Sequence, residues 1–375
     1  MSYKSYKVKK GDTLQRIAEI FQTTAKALRE YHNLHCELSD LLPGENMIPS
    51  HIKEILIREE EVIQDGLVKN QNQFSLETGG KYEVEIKNAL FIKDDLISTN
   101  ETENLWEFSK NSNGIEITIT DKKILKSTAQ LQPLLEIINT INKSTDHLQL
   151  ALNKDNTIRE VLNKTEILEK WEEIKFKYVK FYEMQDDFVK IIVEQYDKAF
   201  QNITNHIKEN LLYQVILFPS GTLKHPVLYP MSLKNNIVVN SLLFPENNIA
   251  YDWKYTSKET KDHFVFSLTA EAPSNKLQHF KELYEKGYKS ILHASFSPVF
   301  ILESKYFYNK KTLKLENAII YAKEQMSKEL LYIVRYKLSL ISHDESTENF
   351  VEMNEEECKP VKIFNEELKS RFLFD

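Results

Sequence analysis

Between residues 164 and 210 no glycine or proline interrupts the chain. Over that stretch apolar residues recur at steps of three or four: Ile167, Trp171, Ile174, Tyr178, Phe181, Phe188, Ile192, Tyr196, Phe200, Ile203 and Ile207. Such spacing gathers them on one side of an α-helix, because turns of about 3.6 residues stack positions three and four apart. A stripe of this length has to be covered. Packing on a sheet covers it most simply, with Trp171, Ile174, Tyr178 and Phe181 turned inward; a coiled-coil partner is the alternative. The step lapses across Met184 and Gln185, and the Asp186 carboxylate suits a helix N-cap, so a break is expected at 185–187.

Both flanks of the stripe read as β. Strands are expected at 82–86, 105–108, 115–119, 148–152 and 157–162, with hairpin turns at 111–114 and 153–156 and a helix over 131–141. Further on, strands are expected at 213–218, 237–243, 249–255, 263–269, 290–296, 299–308, 314–323 and 329–340, with a helix over 275–286. The tail 361–374 adds a short helix or strand. Plentiful Tyr (18) and Phe (20) suit broad sheets, and scarce Gly (8) argues against glycine-rich phosphate loops. No solenoid-period repeat is evident. The fold class expected is α+β: an antiparallel sheet packed with long helices.

The first fifty residues are organised differently. Residues 6–8 read as a strand that ends at Gly11-Asp12-Thr13, where Asp12 or Thr13 can cap a helix carrying Leu14, Ile17, Ala18 and Phe21. Thr23 and Thr24 offer a second cap, before Leu28 and Tyr31 on one face of a second helix. Pro43-Gly44 marks a turn, and a short strand is expected to end at Pro49. The order is βααβ, with 6–8 pairing 46–48.

In that order, the run Tyr6-Lys7-Val8-Lys9-Lys10-Gly11-Asp12-Thr13-Leu14, then Ile17-Ala18, Thr23-Thr24, Leu28, Asn33-Leu34 and Leu42-Pro43-Gly44-Glu45 resembles a LysM domain. His32 stands where the family usually has Asn, and the closing strand at 45–49 looks one residue short. The resemblance implies a shallow groove for the N-acetyl groups of glucosamine-containing glycans such as peptidoglycan or chitin. One wall would be Gly11, Asp12, Thr13 and Leu14, the other Leu41, Leu42, Pro43 and Gly44. Loop N–H and C=O groups would bond the acetamide, while Leu and Pro side chains pack on its methyl and ring. The organisation expected is a LysM module at 1–52, a linker at 53–80 and an α+β domain at 81–375.

Charge and chemistry narrow the functions. Net charge is −7. Residues 1–52 hold seven Lys/Arg against six Asp/Glu, a net of +1, leaving −8 for the rest. That balance argues against nucleic acid as a partner. The acids of 344–357 read as a solvated loop. Two cysteines, Cys36 and Cys358, fit a reducing compartment better than a disulfide framework. Neither a secretory h-region nor a membrane span is evident, so the chain is expected to be cytoplasmic as synthesised, with delivery to the envelope or exterior by a non-classical route. Common hydrolase, zinc, Walker and dinucleotide motifs do not occur. His32, His35 and Cys36 read as a polar rim in preference to a metal site. Glu101 and Glu103 beside Trp106 are the nearest approach to a glycosidase pair, with Trp106 more simply core. A non-catalytic protein without metal or cofactor is expected. Two functions fit: an adaptor in a phage-tail-like, contractile injection or type VI secretion machine, or a glycan-binding protein.

Overall fold

The computed structural model describes residues 4–9, 11–21, 23–36, 40–44, 48–57, 74–76, 78–111, 114–153, 156–184, 186–217, 223, 225, 227, 230–232, 237–273 and 276–341. The acidic run 344–357, the tail 361–374, Cys358 and most of the expected linker lie outside them. Two compact units form: residues 1–73 with 224–231 and 255–258, and the remainder. Among the described residues no helix is long and apolar enough to cross a membrane.

The small N-terminal module contains β1 (Lys4–Lys7), α1 (Leu14–Ile20), α2 (Ala25–His35) and β2 (Glu54–Ile57). Each helix starts at a threonine. The Thr13 hydroxyl accepts from Arg16 N at 3.2 Å and that of Thr24 from Ala27 N at 3.1 Å, satisfying N–H groups that have no partner within the helix. Leu14, Ile17, Leu28, Leu42, Ile52, Ile55 and Ile57 form one buried cluster. Each such side chain withdrawn from water contributes roughly 1.5–3 kcal/mol before chain entropy is counted. Of the closing strand expected at 45–49, residues 45–47 lie outside the described residues. Antiparallel to β1 runs β2, with Tyr6 opposite Ile55 and Lys4 opposite Ile57. It lies beyond both Pro49 and the limit expected at 52. Ile55 and Ile57 point inward around exposed or half-exposed neighbours, so their alternation decides which strand closes the sheet.

The larger sheet has twelve strands. A first meander is β3 (Lys81–Ile92), β4 (Asp95–Asn111), β5 (Gly114–Ser127), β6 (His147–Leu152) and β7 (Ile158–Val161), with α3 (Gln132–Asn142) between β5 and β6. A helical stretch follows: α4 (Lys164–Ile174), α5 (Lys180–Glu183), α6 (Asp187–Gln201), α7 (Ile203–Glu209) and α8 (Leu211–Ile216). The second meander is β10 (Asn248–Glu259), β11 (His263–Glu271), β12 (Val299–Asn309), β13 (Leu315–Ser327) and β14 (Leu330–Ile341), with β8 (Met231–Ser232) and β9 (Ile237–Asn240) both pairing β10, and with α9 (Gln278–Gly287) and α10 (Lys289–Leu292) before β12. The meanders join where β14 pairs antiparallel with β3 along their whole length, from Leu330 opposite Ile92 to Ile341 opposite Lys81. Buried tyrosines fasten distant segments: Tyr82 donates to Leu315 O at 2.7 Å and Tyr306 to Val215 O at 2.7 Å.

Local sterics explain the turns. Lys93 and Asp94 both have positive φ (51° and 70°), the conformation that lets a two-residue hairpin follow the twist of its strands. At Gly114, opposite Ala151, a Cβ would lie 2.0 Å from the Leu150 carbonyl oxygen, so only glycine fits. Glu324 in β13 is 1% exposed and accepts from Ser241 Oγ at 2.6 Å, Leu242 N at 2.8 Å and Leu243 N at 3.1 Å. Burial raises its pKa to about 7, against the lowering influence of those three donors.

The long stripe is half as expected. Asp186 caps α6 by accepting from Phe188 N at 2.8 Å. Trp171 is buried, edge-on to Phe200 at 5.3 Å between ring centres, and donates to Asp197 at 2.8 Å. Tyr178 and Phe181 are not buried; they are 59% and 66% exposed. The cause is a π turn at Lys175–Val179. It takes in one extra residue, so the inward position after Ile174 passes from Tyr178 to Val179, which is 1% exposed. Two expected strands are also helices. The segment from 213 falls in α8, where the Asn210 side chain accepts from Leu212 N, and 290–296 begins inside α10 and continues without regular structure.

Candidate functional site

The first loop of the N-terminal module is fixed by one carboxylate. Asp12 Oδ2 accepts from Lys9 N at 2.8 Å and from the Tyr6 hydroxyl at 3.0 Å, while Asp12 N donates to Lys9 O at 3.1 Å. The Lys9 N–H holds the Asp12 carboxyl below its usual pKa, with Tyr6 adding to the effect. Gly11 has φ of 92°, a conformation that residues with a Cβ rarely adopt. Thr13 then caps α1. Asp12 is therefore a loop brace and Thr13 a helix cap, and both set the path of the backbone at 11–13.

The second loop is fixed from α2. Asn33 clamps Leu42 in both directions: Leu42 N donates to Oδ1 at 2.8 Å and Nδ2 donates to Leu42 O at 3.0 Å. His32 is 1% exposed. Its Nδ1 accepts from Leu56 N at 3.0 Å, which leaves Nε2 as the donor to Asp40 O at 2.9 Å. The imidazole thus bridges the start of this loop to β2.

The eight residues expected to line the groove divide sharply. Leu14 (0% exposed) and Leu42 (2%) belong to the core, so their side chains do not line a surface. Because both sit in one buried cluster, they join the two loops from beneath. Gly11, Thr13, Leu41 and Pro43 face solvent, and Asp12 and Gly44 are half-buried. Gly44 has no positive φ and open space around its α-carbon, so nothing there demands glycine. What the two loops expose is Gly11 and Thr13 on the first and apolar Leu41 and Pro43 on the second. That combination suits a ligand with an amide and an apolar face. Sequence reasoning did not assign Asn33 and His32 as the residues that set the second loop. The available signal was their place in the last turn of α2, just before a Leu-Pro-Gly turn.

Two other chemical readings meet different geometry. Both His32 nitrogens have partners, and His35 packs on Tyr31 with ring centres 4.5 Å apart. Burial raises the Cys36 thiol pKa. Among the described residues no group of three or more His, Cys, Asp or Glu is placed to hold a metal ion. Glu101 pairs with Lys87 and Glu103 with Lys123. In the register of β3 and β4 these acids lie opposite Lys87 and Glu85, whereas Trp106 lies opposite Tyr82. Odd and even positions of β3 point to opposite faces, so Trp106, which is buried, does not stack beside the acids.

Comparison with curated protein sequences returns no match. Among solved structures, a lipovitellin chain described for its lipid–protein interactions aligns over 71% of this chain and 25% of its own length, with 10% identity and a TM-score of 0.40. The present chain thus spans about a quarter of that protein. At its N-terminus the chain carries a module that matches the LysM domain family over residues 6–47.

Proposed function

We propose that the N-terminal module binds glycans containing N-acetylglucosamine, and that the larger domain carries this module without chemistry of its own. The family match supports the ligand class. The observation that carries the site is the pair of braced loops: Asp12 fixes the first and Asn33 the second, and they carry the exposed residues Gly11 and Thr13, and Leu41 and Pro43. An acetamide would bond the backbone at 11–13, and its methyl and pyranose ring would pack on Leu41 and Pro43. A single shallow groove of this kind binds weakly, on the order of micromolar to millimolar. Co-sedimentation of the full chain with insoluble chitin and with peptidoglycan tests the reading. Binding that falls at least about tenfold in Leu41→Asp, with the fold intact, is expected. Folded protein that stays in the supernatant with both polymers would overturn it.

A second reading gives the module a protein target, as in an adaptor of a contractile injection or type VI secretion machine. The exposed apolar side chains Leu41 and Pro43 would serve a protein contact as well as a sugar face. Under this reading, neither glycan sediments the protein.

A further inference from the structure

The turn between α5 and α6 carries an unusual surface. Phe176 (72% exposed), Tyr178 (59%), Phe181 (66%), Tyr182 (48%), Met184 (80%) and Phe188 (55%) all face solvent within thirteen residues. Aromatic and thioether groups at this density are rarely left in water without a use. The π turn accounts for Tyr178, since it brings Val179 inward in its place.

Charge limits what can cover this surface. The stem at 175–180 holds three lysines and no acid; Lys175 is already paired with Asp197 at 2.6 Å, which leaves Lys177 and Lys180 to a partner, while the tip at 183–187 holds three acids (Glu183, Asp186, Asp187) and no base. A bilayer is disfavoured, because Asp186 and Asp187 lie between Met184 and Phe188 and would enter the hydrocarbon with them. Nucleic acid is disfavoured by the same carboxylates. The fitting partner supplies apolar area, cations facing the tip and anions facing the stem. A second copy of this element, running antiparallel, supplies all three. We infer that the turn between α5 and α6 is a homodimer contact in which two copies pack about a two-fold axis, the acidic tip of each beside the lysine stem of the other. Such an arrangement is isologous and closed, since each stem-to-tip contact occurs twice. Lys177 also reaches Glu173 on its own helix, through an exposed pair that competes little with a new contact. Lys180 lies over the Phe176 ring at 5.5 Å and so directs charge onto the apolar surface.

Sedimentation velocity of the full chain, from about 1 to 100 µM, reads the oligomeric state. A dimer is expected. Phe181→Glu and Met184→Glu, both at exposed positions and checked for unchanged circular dichroism, should each give monomer. Lys177→Glu/Lys180→Glu and Glu183→Lys/Asp187→Lys should each weaken association at least about tenfold, and mixing these two variants should restore a heterodimer. A wild-type monomer across the range would overturn the proposal, whether or not the protein then sediments with lipid vesicles. So would a dimer that survives both glutamate substitutions, or charge variants that stay monomeric when mixed.

Discussion

The N-terminal module and the twelve-stranded sheet reach order by opposite means. In the module, short-range polar contacts fix the chain: Asp12 to Lys9, Thr13 to Arg16, Thr24 to Ala27, Asn33 to Leu42. In the sheet, the decisive contacts lie far apart in sequence. β3 meets β14, Tyr82 meets Leu315 and Ser241 meets Glu324. A small core gains most from lowering the cost of each turn and helix end, whereas a broad sheet gains most from burying large side chains between elements. Perturbations should therefore be graded, small in the module and large in the sheet. All three tryptophans (Trp106, Trp171, Trp253) lie in the larger domain, so their fluorescence reports that domain alone, while amide signals of residues 4–57 report the module.

The largest effect is expected at Trp171. Trp171→Ala should cost about 3–5 kcal/mol in urea denaturation followed by the remaining tryptophans, whereas Phe181→Ala, at a concentration low enough for the chain to be monomeric, should stay within about 0.5 kcal/mol. Equal losses would mean that the π turn does not set the buried face. Next comes Glu324. Its folded pKa is raised to about 7, so the folded state holds the proton more tightly than the unfolded chain does. Its contribution to stability is complete below the ordinary glutamate pKa and is lost as pH rises to about 7, a change on the order of 3 kcal/mol. Denaturation of the sheet at pH 4.5 and pH 8 should show this slope, and Glu324→Gln should flatten it. A slope of the same size in the variant would assign the effect to other groups.

Smaller effects belong to the module. Gly11→Ala, at φ of 92°, should cost about 1–3 kcal/mol, while Gly44→Ala should cost almost nothing. Amide exchange of residues 4–57 would distinguish the two, and equal protection would contradict the assigned backbone at Gly11. Thr13→Ala should cost about 1 kcal/mol and leave tryptophan-monitored unfolding unchanged. A shift in that unfolding would mean that the two regions do not respond separately.

The contrast also governs what could be read without coordinates. The module's first loop and helix starts were legible from short motifs because their contacts span only a few residues, as at Gly11-Asp12-Thr13. The strand at 54–57 was not, because Pro49 looked like an end and the alternation of Ile55 and Ile57 lies past it. Most strands were legible from alternation, though not their partners; nothing in the chain before 92 announces a pairing with 330–341. α8 misled because Leu211, Tyr213 and Val215 are buried at every second position, as in a strand, and the Asn210 cap decides for helix. The turn at Lys93 and Asp94 carries no glycine to mark it. In the two loops, apolar type alone did not separate Leu41 and Pro43, which face out, from Leu14 and Leu42, which face in.

The pairing of β3 with β14 sets a delay in biosynthesis. When β3 leaves the ribosome, β4 can cover one of its edges within seconds. The other edge has no partner until residues 330–341 arrive, roughly 240 residues later. At about 5–20 residues per second that interval is some 12–50 s, during which a strand bearing Tyr82, Val84, Ala89 and Phe91 presents open hydrogen-bonding groups to every neighbouring chain. Yield of this protein in a cell should therefore depend on elongation rate and on holdase chaperones, and slowing translation downstream of residue 92 should lower the soluble fraction without altering the finished molecule.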